Sequence, residues 1–397
     1  MRITLLFALC AALFACTKQL STKRERLELL AGQGDALAQV GLAFMYAHGD
    51  GVTKDEAKAL KLYRQAAAQG NALAQSALGL MYVHGNGVPK NKEKAFELIG
   101  KAAAQGHTLS QVMLGAMYDG GDGVPKDEVK AFEWYQKAAV QGDPAAQANL
   151  GSMYASGKGV PKDETQAFQW YQKAAASENA LAQSALGVMY AEGEGVPKDE
   201  VKAVEWYQKA AAQGDGTAQA NLGNMYWTGK GVLRDDAKAF EWYQKAAGQG
   251  HALAQHNLGF MYAEGDVVAR DGAKAFEWYQ KAAGQGIANA QFVLGTMYSN
   301  GKGVAKDPAK AIEWYQKAAI QGEVGAQCNL GVMYANGNGC PRDDVRAYAW
   351  MSLAAAGNDP YSMKVRDKME RNLTFEQIAE ARKLSVEFSE MIKNRGQ

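Results

Sequence analysis

An all-α solenoid of stacked helical hairpins is the fold that this sequence predicts, on three observations. A block of 36 residues recurs nine times without insertion or deletion, starting at Ala38, Ala74, Ser110, Ala146, Ala182, Ala218, Ala254, Ala290 and Ala326. Self-similarity at a fixed period of this length marks units that bury their apolar faces only by stacking on neighbours. Each block also holds two apolar stretches at helical spacing, and glycines close both, where a helix end calls for a left-handed residue.

The chain opens on Arg2 and the apolar run ITLLFALCAALFA. One positive charge before a short apolar core reads as a secretory signal over residues 1–16, too short to span a bilayer. A buried helix start is the plainer alternative. Leu13-Phe14-Ala15-Cys16 is similar to a bacterial lipobox, in which Cys16 is acylated and becomes the first mature residue. Phe14 is bulky for that pattern, so simple cleavage after Ala15 is the other outcome. Thr17 is not the Asp of inner-membrane retention, which points such a lipoprotein to an outer membrane. Within 17–37, the stretch STKRERLELLAGQGDAL matches the second half of a block. The array therefore starts on a half-repeat cap.

The copy at Ala182 shows how one block folds. Ala182, Leu186, Met189 and Tyr190 lie at helical spacing, and Gly193 stands at the C-cap. Gly195, Val196 and Pro197 make the turn, and Asp199 is the N-cap of a second helix. That helix, EVKAVEWYQKAAAQ, ends at Gly214. Lys202, Glu205 and Lys209 form its solvated flank, with Glu205 and Lys209 spaced as an i,i+4 pair. Ala203, Trp206, Tyr207 and Ala210 form the opposite flank. The Trp recurs at 134, 170, 206, 242, 278, 314 and 350 and reads as core, packed on the next hairpin. Gly187 sits inside the first helix, where Gly costs about 1 kcal/mol relative to Ala. Its recurrence implies a neighbour too close for a Cβ.

After the nine blocks (38–361) the pattern changes, and 362–397 reads as a helical cap. Thr374 and Gln377 have capping-box spacing. Ile378, Ala381, Leu384, Phe388 and Met391 then form one apolar stripe.

The repeating pattern LGxMYxxGxGVPKDxxKAxxWYxKAAxQG resembles the SEL-one-like repeat family, a relative of the tetratricopeptide repeat. The resemblance implies antiparallel helix pairs in a right-handed superhelix, and a scaffold for protein–protein contacts, often in the bacterial envelope. Leu62 and Leu98 replace Trp in the first two copies. DVVARD replaces GxGVPKD in the copy at Ala254, so a different loop is expected there.

Numbered from the initial Ala, positions 1, 2, 5, 6, 8 and 9 of the first helix hardly vary. Positions 3, 4, 7, 10 and 11 vary widely, and at about 100° per residue the two sets fall on opposite faces. The resemblance places the variable face along a concave groove. Its candidate partner-binding residues are Asn149, Ser152, Asn221, Asn224, Trp227, His256, Asn257, Phe260, Phe292 and Asn329. Trp227 stands outside the repeating Trp column and is the anchor candidate. Repeated Asn suits hydrogen bonding to a peptide backbone. Drift on a solvated face is the competing reading.

Lys plus Arg total 43 and Asp plus Glu 42, a net charge of +1, so no basic field favours nucleic acid. HExxH, Walker and GxSxG motifs are missing, and no cofactor or metal is implied. His48 and His84 hold equivalent places, but two His without a third ligand are weak evidence for metal. Cys328 and Cys340 lie about 12 Å apart along the helix by rise alone, too far for a disulfide. Ser299-Asn300-Gly301-Lys302 matches SxxK, without the KTG or SDN that penicillin-recognising enzymes add.

The reading is a monomeric, non-enzymatic envelope scaffold, an outer-membrane lipoprotein facing the periplasm or the surface. It binds a protein or peptide, or a cell-wall glycan. A β-lactamase-like or penicillin-binding protein is the alternative function, and a soluble periplasmic or secreted protein the alternative location.

Overall fold

Alternating caps divide the chain into helices. In a computed structural model that describes residues 24–395, every described element is helical and no strand occurs among the described residues. The signal segment and Cys16 lie outside the described residues. Two units divide at Lys198/Asp199. The first holds α1 (24–32), α2 (Ala36–His48), α3 (Glu56–Ala68), α4 (Ala72–His84), α5 (Lys92–Ala104), α6 (Thr108–Gly120), α7 (Glu128–Val140), α8 (Pro144–Ser156), α9 (Glu164–Ala176) and α10 (Ala180–Glu192). The second holds α11 (Glu200–Ala212), α12 (Gly216–Thr228), α13 (Asp236–Gly248), α14 (Ala252–Glu264), α15 (Gly272–Gly284), α16 (Ala288–Asn300), α17 (Pro308–Ala319), α18 (Val324–Asn336), α19 (Asp344–Ala356), α20 (Pro360–Glu370) and α21 (Phe375–Arg395). Even-numbered helices from α2 to α18 are the first helices of the nine blocks. Within each unit consecutive helices from α2 to α20 pack on one another, and α21 packs on α19.

Local chemistry fixes the boundaries. Asp199 caps α11 by accepting from the Lys202 amide at 3.0 Å, and eight other second helices start on an Asp or Asn used in the same way, such as Asp127 and Asn91. The side chain satisfies one of the amides that a helix start leaves orphaned. Gly193 ends α10 at φ +80. The second glycine of each GxG turn has a different task. At Gly159 and Gly123 an added Cβ would strike a backbone carbonyl of the preceding block's second helix, Glu128 and Lys92 respectively. Neighbouring blocks therefore touch backbone to backbone.

Buried glutamines tie the blocks together. Gln105 donates to Gln75 at 2.8 Å, Gln141 to Gln111 at 2.6 Å and Gln249 to Gln219 at 2.9 Å. The receiving glutamine donates in turn to the preceding block, as Gln111 does to the Ala103 carbonyl at 3.2 Å. The copy at Ala146 breaks this ladder. Ser177 stands where the donating Gln would be, and the buried Gln147 Oε1 has no partner. Glu178, in place of Gly, is forced to φ +59.

The mid-helix glycines behave as expected. A Cβ at Gly151 would lie 2.7 Å from the Tyr171 ring, and at Gly295 2.7 Å from Tyr315. The ring that demands this space belongs to Tyr, not Trp. Tyr135, Tyr171, Tyr243, Tyr279 and Tyr315 are buried, whereas Trp134, Trp170, Trp206, Trp242, Trp278 and Trp314 are half-buried. The expected Trp core is thus corrected by one position, about 100° round the helix. Each of these six indoles lies under the lysine three residues on, at 3.8–4.2 Å for the first three, Lys137, Lys173 and Lys209. Lys209 covers Trp206 instead of reaching Glu205. Where Leu98 replaces Trp, Lys101 does pair with Glu97, at 2.6 Å. Trp350 alone in the column is buried, under Phe388 of α21.

The ends follow the expected chemistry. Thr374 and Gln377 exchange hydrogen bonds at 3.0 and 3.2 Å, a complete capping box. Ala381 is buried, while Met391 at the far end of the same stripe is 53% exposed. The loop after α14 does differ, since Val267 replaces the second turn glycine and is not left-handed. Cys328 and Cys340 are free thiols, both half-buried.

Candidate functional site

The first helices present two faces, as their variation implies. On α12, Ala218, Gln219, Leu222, Gly223, Met225 and Tyr226 are buried, while Asn224 is exposed and Asn221 and Trp227 are half-buried. Position 3 departs from the expected variable face. Ala148, Ala220, Ser76 and Ser184 are buried there. His256 and Phe292 occupy the same position and turn inward, edge-on to Tyr279 at 5.4 Å and tilted on Tyr315 at 5.9 Å. Burial holds the His256 imidazolium below its ordinary pKa, and its Nδ1 is buried without a partner. Both side chains pack the first helix of their own block on its second helix, more than they face a ligand.

The asparagines at position 4 also have internal work. Asn257 hydrogen-bonds the Tyr243 hydroxyl, whose pKa burial pushes up to about 12 against that bond. Asn329 does the same for Tyr315, again opposing the upward push of burial. A buried hydroxyl without a partner is costly, so the recurrence of Asn has a packing cause. Asn149, in the first unit, is half-buried, and Ser152 and Asn224 are exposed.

Trp227 and Phe260 remain as a surface pair. Their rings meet edge to face at 6.1 Å, and the Arg234 guanidinium lies 5.3 Å from the indole centroid. The recess they border with Tyr243, Asn257 and Met261 holds about 30 Å³, the space of one water. This is an anchor on a surface, not a pocket.

The first unit holds a larger feature on equivalent positions of other blocks. A cleft of about 800 Å³ is lined by Val40, Gly41 and Phe44 of α2, Ser76, Ala77 and Leu80 of α4, and Leu27, Leu73 and Leu109. Phe44, Leu73 and Leu109 are each about half exposed, at 50, 47 and 51%. Asp50 and His107 stand at its edge. Burial pulls the His107 pKa down. The sequence carried a signal for this cleft. Position 7 is Phe44 and Leu80 in the first two blocks and small or polar in most later ones.

Of the residues considered for catalysis or metal, His48 borders the cleft through Phe44. His48 stacks on Phe44 at 4.0 Å, with Nδ1 3.0 Å from the Phe44 carbonyl. Among the described residues no group of three or more His, Cys, Asp or Glu could hold a metal. Ser299 lies in the last turn of α16 and hydrogen-bonds Tyr315, while Lys302 is exposed in the following turn.

Tandem helical hairpins with one conserved packing face and one variable apolar face define a repeat scaffold of the interaction class. The Sel1 repeat model matches nine consecutive copies, from 36–71 to 324–359. The chain belongs to the Sel1 repeat family. It is similar to a protective antigen of uropathogenic Escherichia coli with an SLR fold, at 33% identity over 93% of this chain and 94% of that one, TM-score 0.54. It is also similar to a Sel1 repeat protein from Oxalobacter formigenes, at 34% identity over 82% of this chain and 93% of that one, TM-score 0.56. No curated protein matches the chain.

Proposed function

We propose that this protein is a non-enzymatic scaffold of the bacterial cell envelope that binds a protein or peptide through the variable face of its first helices. The observation that carries the reading is the apolar cleft around Phe44, Leu73, Leu80 and Leu109. Large apolar side chains left in water at one place mark an interaction surface, because covering them releases the hydration cost. Trp227 and Phe260 add a second anchor in the other unit, of the ring types that dominate binding energy. A monomer tethered through a lipid on Cys16 to the outer membrane, facing the periplasm or the surface, fits the signal-like N-terminus. The Escherichia coli relative is described as a protective antigen, and an antibody-accessible place suits a chain similar to it.

The test is chemical cross-linking in the native cell, comparing wild type with Phe44→Asp/Leu80→Asp and with Trp227→Ala. Loss of a discrete adduct in either variant, with helical circular dichroism intact, supports the face. Identical adducts in all three proteins, or nitrocefin turnover by the purified chain, would overturn the reading. Cys16→Ser should abolish lipid labelling and move the protein to the soluble fraction. A wild type that is already soluble removes the tether.

A further inference from the structure

The second-helix tryptophans are covered in two ways. From Trp134 to Trp314, six half-buried rings lie under a lysine of their own helix, as Lys317 lies over Trp314 at 4.0 Å. Trp350 lies under Phe388 instead, with ring centroids 4.1 Å apart and planes 15° from parallel. Copy nine carries Leu353 at the lysine's place, packed with Phe388 against the same core. A lysine and an apolar helix are therefore alternative covers for one kind of ring.

Beside this contact a groove of about 650 Å³ stays open between α17, α19 and α21. Ile320, Leu384, Phe388 and Met391 make its apolar surfaces, and Lys317 and Arg346 stand on its rim with Glu313. Met391 belongs to the apolar stripe of α21 and is still 53% exposed. Each rim cation has partners in its own block, Lys317 the Trp314 ring. Arg346 meets Asp343 at 3.4 Å and lies 5.7 Å from the Tyr334 ring centroid.

We propose that this groove is a docking site for a second amphipathic helix, supplied by a partner protein, with an apolar stripe at i, i+4 and i+7 and carboxylates beside it. The chain itself shows that such a stripe fits. Leu384, Phe388 and Met391 have this spacing, and Phe388 seats α21 on Trp350. The open groove continues that contact, so an arriving helix would cover the free edges of Phe388 and Met391 while resting on Ile320. Helix-in-groove recognition uses this set of anchors. Carboxylates on the arriving helix would face Lys317 and Arg346, which set orientation and encounter rate more than affinity.

The probe is a labelled synthetic peptide of residues 375–395, which carries the stripe with Glu387 and Glu390 beside it. Anisotropy with the full chain should show saturable binding in the micromolar range, the scale of an isolated helix in a groove. A Phe388→Ala peptide should bind about tenfold more weakly. In the protein, Ile320→Asp should cause a similar loss and Lys317→Glu a loss of several-fold. Lys317 is exposed, so its variant decides the case if Ile320→Asp disturbs the fold. Absence of saturable binding would overturn the proposal. So would binding that both variants leave unchanged, because the peptide would then be exchanging with the resident α21.

Discussion

At Gly151 two effects of opposite sign meet. Helix propensity favours Ala over Gly by about 1 kcal/mol. A Cβ at this place would stand 2.7 Å from the Tyr171 ring, and overpacking costs about 1–3 kcal/mol. Gly151→Ala should therefore lower stability by about 1 kcal/mol, read as a lower urea midpoint. A raised midpoint would show that the ring yields, as the first block allows where buried Ala43 faces the same helix position as buried Tyr63. The aromatic pair gives a second comparison. Trp350→Ala should cost about 3–5 kcal/mol, and half-buried Trp206→Ala about half of that; equal losses would return the indoles to the core. Periodicity put both aromatics of each WY pair on the inner flank, because adjacent residues share that signal, and packing alone chose Tyr. The glycine, by contrast, was legible because its cost inside a helix demands a close neighbour. His107, His251 and His256 add a pH dependence. Burial lowers all three pKa values in the folded state, so below the ordinary histidine value of about 6.5 the unfolded chain binds more protons. Stability should fall as pH drops through 6.5 and towards those lowered values, well above the range in which the Asp caps protonate. A flat urea midpoint between pH 7 and 5 would contradict the buried, neutral state.

The helical hairpin is the element on which the ladder of glutamines acts, and the copy at Ala146 is its weak joint. Ser177 cannot reach Gln147, and Glu178 holds a left-handed conformation that costs a side-chain-bearing residue about 1–2 kcal/mol. The double variant Ser177→Gln/Glu178→Gly should restore the donor and remove the strain, adding about 1–2 kcal/mol and raising the thermal midpoint. No change in the midpoint would mean that the ladder carries no net stability. Helix boundaries and caps were open to reading because Gly, Asp and Pro act locally, within a few residues of the bond they make. The cleft was not, since comparing blocks for what they share conceals what two of them do differently. Phe44 and Leu80 stand out only once α2 and α4 lie side by side. The asparagines misled for a related reason. Their hydrogen bonds go to a tyrosine about fourteen residues earlier, a pairing that no helical period reveals.

For the molecule as a whole, stability should be a sum of blocks and the joints between them. Deleting residues 144–179, one full block, should leave a folded chain with helical circular dichroism reduced in proportion to length. Collapse of the helical signal would show a cooperative dependence that a stack of near-independent units does not have. The nature of the joint gives that expectation its reason. At Gly123, Gly159, Gly195, Gly231, Gly303 and Gly339 one block lies against the main chain of the block before it, and the main chain is the same in every copy. This part of the joint does not read the side chains on either side, so blocks that keep the turn glycine and the glutamines can follow one another. Slippage or unequal recombination between copies of the gene would therefore yield a longer or shorter array that folds at once, without compensating substitutions. The length of such a protein is free to drift by whole units, while the contact faces of each block diverge one by one.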